Sequence, residues 1–475
     1  MITGILRESY IFVEFYLALL YMKDFTSGNE GRLIVRFAFP LIVGNLLQQF
    51  YNIIDSIIVG KYLGTEALAA VGASFPIFYT LISFVIGIGS GATVVISQYF
   101  GAKDYEQVKK AIGTIYLVLL VAGLFLTIFG IVFCRQIFEL LNIGEDVMPQ
   151  ATTYFSIYMV GMVSFFGFNG TASILRGLGD SRTPLNFLVL ATCLNIVLDL
   201  LFILVFNWGV AGAAWATVIS QTIALVGTAI HINRSSHLIR FSLRLFKFDT
   251  LTFRQSVRIG LPTGFQQTFV AMGMMALIRI INNFDTTTLA AYVAANRIDA
   301  IATIPSMNIG SALSAFVGQN LGANEFERIR RGVRAAQRLS WIFSLTVMTI
   351  IIILGEPMMK MFSDDPAVIR QGYDYLIIVS SFYIVFSSMF VMHGMLRGAG
   401  DTLVPMFITL ISLWIVRIPI AWFLSERIGE SGIWWSIPCG WFIGLAGTWL
   451  YYKSGKWKGK GVVSHPVVHH EAEKN

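Results

Sequence analysis

Runs of about 20 or more mostly apolar residues recur along the whole chain, parted by short polar loops. Each run is long enough to cross a hydrocarbon core of about 30 Å as a helix. Twelve spans are predicted, near residues 33–59, 67–99, 107–133, 148–175, 184–206, 209–232, 255–282, 288–318, 333–354, 369–396, 405–424 and 431–452. The short alternating segments of a membrane β-barrel are absent from the pattern. The expected fold class is therefore an all-α integral membrane protein. An even number of spans puts both termini on one side. The glycine-rich run Gly87 to Gly91 lies inside a span and does not match a phosphate-binding loop, so close helix packing is its expected role.

Composition agrees with a membrane location. Only 13% of the 475 residues are charged and 56% are hydrophobic, against about 25% charged in a soluble domain. A net charge of +7 in a soluble protein would suggest nucleic acid. Here the basic residues fill alternate short loops, which is how multi-span proteins set their orientation. Lys103, Lys109 and Lys110 follow span 2, Arg176 and Arg182 follow span 4, and Arg328, Arg330 and Arg331 follow span 8. The loop after span 6 and the tail after span 12 are also basic, whereas the other loops carry acids such as Glu145, Asp146, Asp364 and Asp365. Both termini are thus expected in the cytoplasm, with the chain in the cytoplasmic (inner) membrane as a monomer in the lipid bilayer, without a nucleic-acid partner. Cys134, Cys193 and Cys439 are scattered, so neither a disulfide framework nor a metal site is indicated. Residues 1–21 hold an apolar stretch too short to span and lack a cleavage site, which suggests either a poorly ordered extension or a natural start at Met22.

The chain also repeats itself. LRGLGDSRTP at 175–184 returns as LRGAGDTLVP at 396–405, and SQYFGAK at 97–103 returns as GQNLGAN at 318–324, both 221 residues on. Each repeat holds six spans, so the two halves lie the same way up, related by an axis along the membrane normal. Five regions follow: an N-terminal extension (1–32), an N-lobe (33–232), a basic linker (233–254), a C-lobe (255–452) and a tail (453–475). The glycine-rich LRGxGD turns suggest two local ion pairs, Arg176 with Asp180 and Arg397 with Asp401.

Ionisable groups within spans are expensive and therefore functional candidates. Asp55 lies in span 1, Asn195 and Asp199 one turn apart in span 5, and Thr217 in span 6, all on the topology's outer half. At the repeat offset the second half carries apolar residues near these positions: Leu277 or Ala276, Val416, Ile420 and Ile437. A purely structural set is expected in both halves, so its confinement to one suggests a dedicated oxygen-rich site. Two carboxylates held together disfavour each other's ionisation, so such a pair can trade a proton or hold a hard monovalent cation. Asn45, Gln48, Asn52 and Asp55 share one face of span 1, either as a cavity wall or as interhelical hydrogen-bonding groups. Pro40 in the same span removes a backbone hydrogen bond and is a candidate hinge. In the second half, Arg297 and Asp299 are expected near the outer interface with snorkelling side chains. Arg417 sits mid-span, as an ion-pair member or as part of a substrate cavity.

FPLIVGNLLQQFYNIIDSIIVGKYLGTEALAAVG, LRGLGDSRTP, NIVLDLLF followed by GVAGAAWATVISQ, and LRGAGD together resemble the multidrug and toxic compound extrusion (MATE) transporters, from about Met22 to Tyr452. The resemblance implies two six-helix lobes and antiport of cationic, often aromatic compounds against Na⁺ or H⁺, with no other cofactor. The family's span 1 aspartate matches Asp55, and the cation site of its DinF-like branch matches Asn195, Asp199 and Thr217. Relatives of the NorM-like branch carry acids in spans 7 and 10, where PTGFQQTFVAMGMM and FYIVFSSMFVMHGM have none. An enzyme would need a set such as HExxH or GxSxG within the spans, and neither occurs. The alternative is a flippase for lipid-linked saccharide or peptidoglycan precursors. That activity would call for several basic residues around a cavity, and few basic residues lie within spans.

Overall fold

The computed structural model describes residues 23–141, 143–235 and 247–463. The expectations for residues 1–21, for half of the linker and for the end of the tail fall outside these. All secondary structure among the described residues is helical. The first half comprises α1 (Glu30–Leu63), α2 (Thr65–Gly101), α3 (Tyr105–Val132), the short α4 (Cys134–Leu140), α5 (Met148–Val160), α6 (Met162–Gly177), α7 (Arg182–Leu200) and α8 (Val210–Ser235). The second comprises α9 (Thr250–Ile281), α10 (Thr286–Gly322), α11 (Phe326–Lys360), α12 (Pro366–Ser380), α13 (Tyr383–Gly398), α14 (Leu403–Leu410), α15 (Ile418–Ile428) and α16 (Glu430–Lys453).

Local chemistry sets several boundaries. Asn29, Asp104, Asp249, Asp285 and Asp365 each accept a backbone N–H of the helix that follows, the usual polar cap for orphaned first-turn donors. Nine described helices are long and apolar enough to cross a membrane, and two bent pairs bring the number to eleven. The pairs are α5 with α6, bent by 49°, and α12 with α13, bent by 51°. They take equivalent places in the two halves and correspond to predicted spans 4 and 10. The twelfth predicted span falls on α16. The hydrophobic pattern revealed neither the bends nor two π-helical segments, Leu201–Val205 after α7 and Ile411–Arg417 between α14 and α15. α1 runs unbroken through Pro40.

The halves pack around α2 and α10, and the repeat becomes a pseudo-two-fold axis between them. Gln98 of α2 donates to the carbonyl of Gly398 at 2.9 Å, and Gln319 of α10 donates to the carbonyl of Gly177 at 3.2 Å. Both partners in each comparison are 221 residues apart. Each glutamine also accepts from a strand of chain passing beneath it: Gln98 from Val462 N at 2.7 Å, Gln319 from Phe25 N at 2.9 Å. Gly101 and Gly322 repeat the symmetry at closer range. A Cβ at Gly101 would overlap the carbonyl oxygen of Gln319, and one at Gly322 would overlap that of Gln98. Backbone thus meets backbone at the end of the bundle where the described chain begins and ends. Further hydrogen bonds and ion pairs join the lobes there, among them Tyr99 with Gln255 and Glu30 with Arg328 and Arg331.

The LRGxGD turns form part of this closure, but not by the expected ion pairs. Arg176 donates to Ser173 Oγ at 2.7 Å, while Asp180 accepts from the backbone N–H groups of Arg182 and Thr183 at the start of α7. Asp401 accepts from the Tyr451 hydroxyl. The expectation of Arg176–Asp180 and Arg397–Asp401 pairs is therefore corrected. In each turn the glycine just before the aspartate, Gly179 or Gly400, has a positive φ of 84° or 87°. That backbone sharply redirects the chain, and the carboxylate is spent on nearby donors instead of the arginine.

Candidate coupling-cation site

Inter-lobe hydrogen bonds reach upward from the termini end as far as Asn45 of α1, which donates to Asn308 Oδ1 of α10 at 2.8 Å. Asp55 lies ten residues further along α1, about 15 Å beyond that contact. Here α1 faces α7 and α8 of its own lobe, and the four residues chosen from sequence come together.

Asn195 and Asp199 share one face of α7 and are 1% and 0% exposed. Thr217 on α8 is 8% exposed. The amide of Asn195 is oriented by its neighbours. With Nδ2 toward Asp199 Oδ2 at 2.9 Å, its Oδ1 accepts from Thr217 N at 3.1 Å and Thr217 Oγ1 at 3.3 Å, whereas the opposite orientation sets oxygen against oxygen. The Thr217 hydroxyl in turn lies 3.2 Å from that of Tyr51 on α1. One line of hydrogen bonds thus runs Tyr51–Thr217–Asn195–Asp199 and ties three helices together. The carboxyl groups of Asp55 and Asp199 lie close enough to interact directly.

This set has more oxygens than protons to go round. Asp199 Oδ1 is buried and has no hydrogen-bond partner, although a buried carboxylate oxygen ordinarily has one. Two facing carboxyl groups need a proton shared between them or a cation neutralising them. Oxygen-only donors from carboxylates, a hydroxyl and an amide suit a hard cation, and no thiol or imidazole is present to select a softer metal. The π-helical segment starts two residues after Asp199. Such widened turns give a helix a place to change register locally.

Tyr51, Tyr154 and Tyr158 complete the site and were not foreseen. Tyr154 and Tyr158 of α5 lie within electrostatic range of Asp55, and both pack on Phe78 with ring centroids 6.2 and 4.0 Å away. A signal did exist: Tyr51 stands four residues before Asp55, one turn along the same face. Asn45 belongs to the lobe interface, and Gln48 and Asn52 lie between it and Asp55 on α1, with Asn52 exposed.

In the second half the expected snorkelling of Asp299 is corrected. Its carboxylate accepts from the Tyr383 hydroxyl at 2.7 Å, inside the C-lobe. Arg297, on the other face of α10, is exposed. An aspartate with a tyrosine from another helix to hold it need not reach for the interface.

Known proteins agree with this architecture. The MatE family model matches residues 40–201 and again 262–423, so its own repeat coincides with the internal one. The chain belongs to the MATE family. It is 32% identical to the probable multidrug resistance protein YpnP of Bacillus subtilis over 92% of this chain and 97% of that protein. It is 29% identical to the probable multidrug resistance protein YoeA of the same organism, over 90% and 94%. A crystal structure of a MATE protein in complex with MaL6 superposes with a TM-score of 0.85 at 24% identity, covering 91% of this chain and 97% of that one, which is a likeness of fold. This MATE protein is therefore a multi-pass membrane protein, not an enzyme, and its family is one of transporters acting on small substrates.

Proposed function

We propose that this MATE protein is a secondary antiporter that exports organic, cationic or amphipathic small molecules in exchange for Na⁺ or H⁺. The observation that carries the reading is the buried carboxyl pair Asp55–Asp199 with its unpartnered Asp199 oxygen, supported by multidrug resistance proteins among the relatives. The basic loops put both termini in the cytoplasm, so the lobes meet on the cytoplasmic side and the carboxyl pair sits nearer the outside. A cation entering there binds Asp55, Asp199, Asn195 and Thr217 and draws α1 toward α7 and α8. That movement changes the wall of the space between the lobes and weakens its hold on the organic substrate, which leaves outward. The lobes then part on the cytoplasmic side, and the cation is released inward. The substrate and the coupling ion never need to be bound together, so one gradient drives the other.

Purified protein in vesicles loaded with a fluorescent lipophilic cation tests this. An imposed Na⁺ or H⁺ gradient, applied separately, is expected to drive efflux above the protein-free rate for one of the two ions. Folded protein that drives none under either gradient would overturn the antiport reading and favour a flippase.

A further inference from the structure

The C-lobe contains a polar cluster that the N-lobe lacks. Arg417 closes the π-helical segment Ile411–Arg417, and its Nε is buried with no acceptor. Asp299 of α10, with Tyr292 on the same helix and Tyr375 of α12, all lie within electrostatic range of that guanidinium. Trp434 of α16 packs against both tyrosines, stacked on Tyr292 at 5.8 Å and edge-on to Tyr375 at 5.1 Å. The Trp434 Nε1–H is a second buried donor without an acceptor. The imbalance is thus the reverse of that in the N-lobe: there a carboxylate oxygen lacks a partner, here two N–H donors do.

Arg417 and Asp299 could have closed on each other as a salt bridge. They do not come within ion-pair distance, and the carboxylate accepts from the Tyr383 hydroxyl instead. The two opposite charges are therefore held in one lobe but kept apart. The repeat shows that the fold does not require them. At an offset of 221, Phe78, Ile196 and Ala213 occupy the places of Asp299, Arg417 and Trp434, while Tyr154 matches Tyr375. A charge pair that its own duplicate replaces with apolar residues is not there for packing.

We propose that Arg417 is a carboxylate-recognising residue in the C-lobe and that, with Asp299, it selects organic substrates bearing both a carboxylate and a cationic group. A guanidinium offers a planar fork to a carboxylate, and Asp299 faces the positive end. This rests on the export reading above and narrows its substrate class to zwitterions. Arg417 then contributes little for a substrate lacking a carboxylate.

The test uses two probes that differ in one group: a rhodamine ethyl ester, a cation, and its free acid, a zwitterion. Their binding to the purified protein in lipid nanodiscs is followed by fluorescence anisotropy. Arg417→Gln is expected to weaken the acid by at least about tenfold, the cost of a charge-assisted hydrogen bond, and to leave the ester within about twofold. Arg417→Lys is expected to restore part of the loss. Asp299→Asn is expected to weaken both probes, since both are positively charged. Replacing chloride by gluconate is expected to leave the acid's affinity unchanged or improved. Equal losses for both probes in Arg417→Gln, or none, would overturn the assignment, as would a chloride requirement that this variant abolishes. A wild type that binds both probes in a ratio independent of Arg417 overturns this assignment alone. One that binds neither overturns the export reading with it.

Discussion

Asp55→Asn is expected to bring gradient-driven efflux down to the rate of protein-free vesicles, a loss of more than about tenfold, while the protein stays folded. The reason is specific to the pair. Asparagine keeps the size and hydrogen-bonding reach of the side chain, so α1 can still meet α7 through Asp199. It removes the second negative charge, and with it the condition that makes the site demand a proton or a cation. The line Tyr51–Thr217–Asn195–Asp199 is untouched, so binding of the organic substrate in the absence of a gradient should change by no more than about threefold. Efflux assays beside a thermal unfolding curve check both halves of the expectation. A folded Asp55→Asn protein that exports at the normal rate would remove Asp55 from the coupling step.

Gly322→Ala is expected to loosen the closure at the termini end. The added methyl would overlap the Gln98 carbonyl oxygen, which belongs to a helix backbone and cannot turn aside as a side chain could. Overpacking of this kind costs about 1–3 kcal/mol, which shifts a two-state equilibrium by about 5- to 150-fold. Gly101→Ala makes the mirror-image clash with the Gln319 carbonyl and should behave alike, which guards against a purely local cause. A cysteine in place of Ser97, which is fully buried between the lobes, reports the change in a background lacking Cys134, Cys193 and Cys439. Its modification by a water-soluble maleimide should speed up in both glycine variants. An unchanged rate would mean that the close approach of α2 and α10 does not govern opening.

Much of this could be read from the chain because it depends on length and repetition rather than on packing detail. Twelve apolar segments mark the helices, and the 221-residue offset marks the repeat. The four residues Asp55, Asn195, Asp199 and Thr217 were legible because a polar group in an apolar span stands out, and because the second half lacks them. What failed shows the limits of the same reasoning. Tyr51, Tyr154 and Tyr158 blend into a chain with 17 tyrosines and 38 phenylalanines, since an aromatic ring suits lipid, packing and polar sites equally. Nearness to a span end points Asp299 to the interface, a measure blind to the Tyr383 hydroxyl that reaches it from another helix. The Arg176–Asp180 and Arg397–Asp401 pairs looked sound as neighbours in sequence. Short-range backbone donors and Tyr451 competed for the carboxylates and won. Bends and π-helical turns have no signature in the hydrophobic pattern, because they move a helix axis without changing which residues are apolar.

The central claim is that cation binding at the carboxyl pair and substrate binding between the lobes oppose each other. Linkage makes this measurable at equilibrium, without transport. The dissociation constant of the fluorescent substrate is measured on purified protein at zero and at saturating concentration of the ion that drives efflux. The wild type is expected to bind substrate about five- to a hundredfold more weakly with the ion present, and Asp199→Asn to bind equally in both conditions. A wild-type substrate affinity that the ion leaves unchanged would contradict the coupling proposed for Asp55 and Asp199.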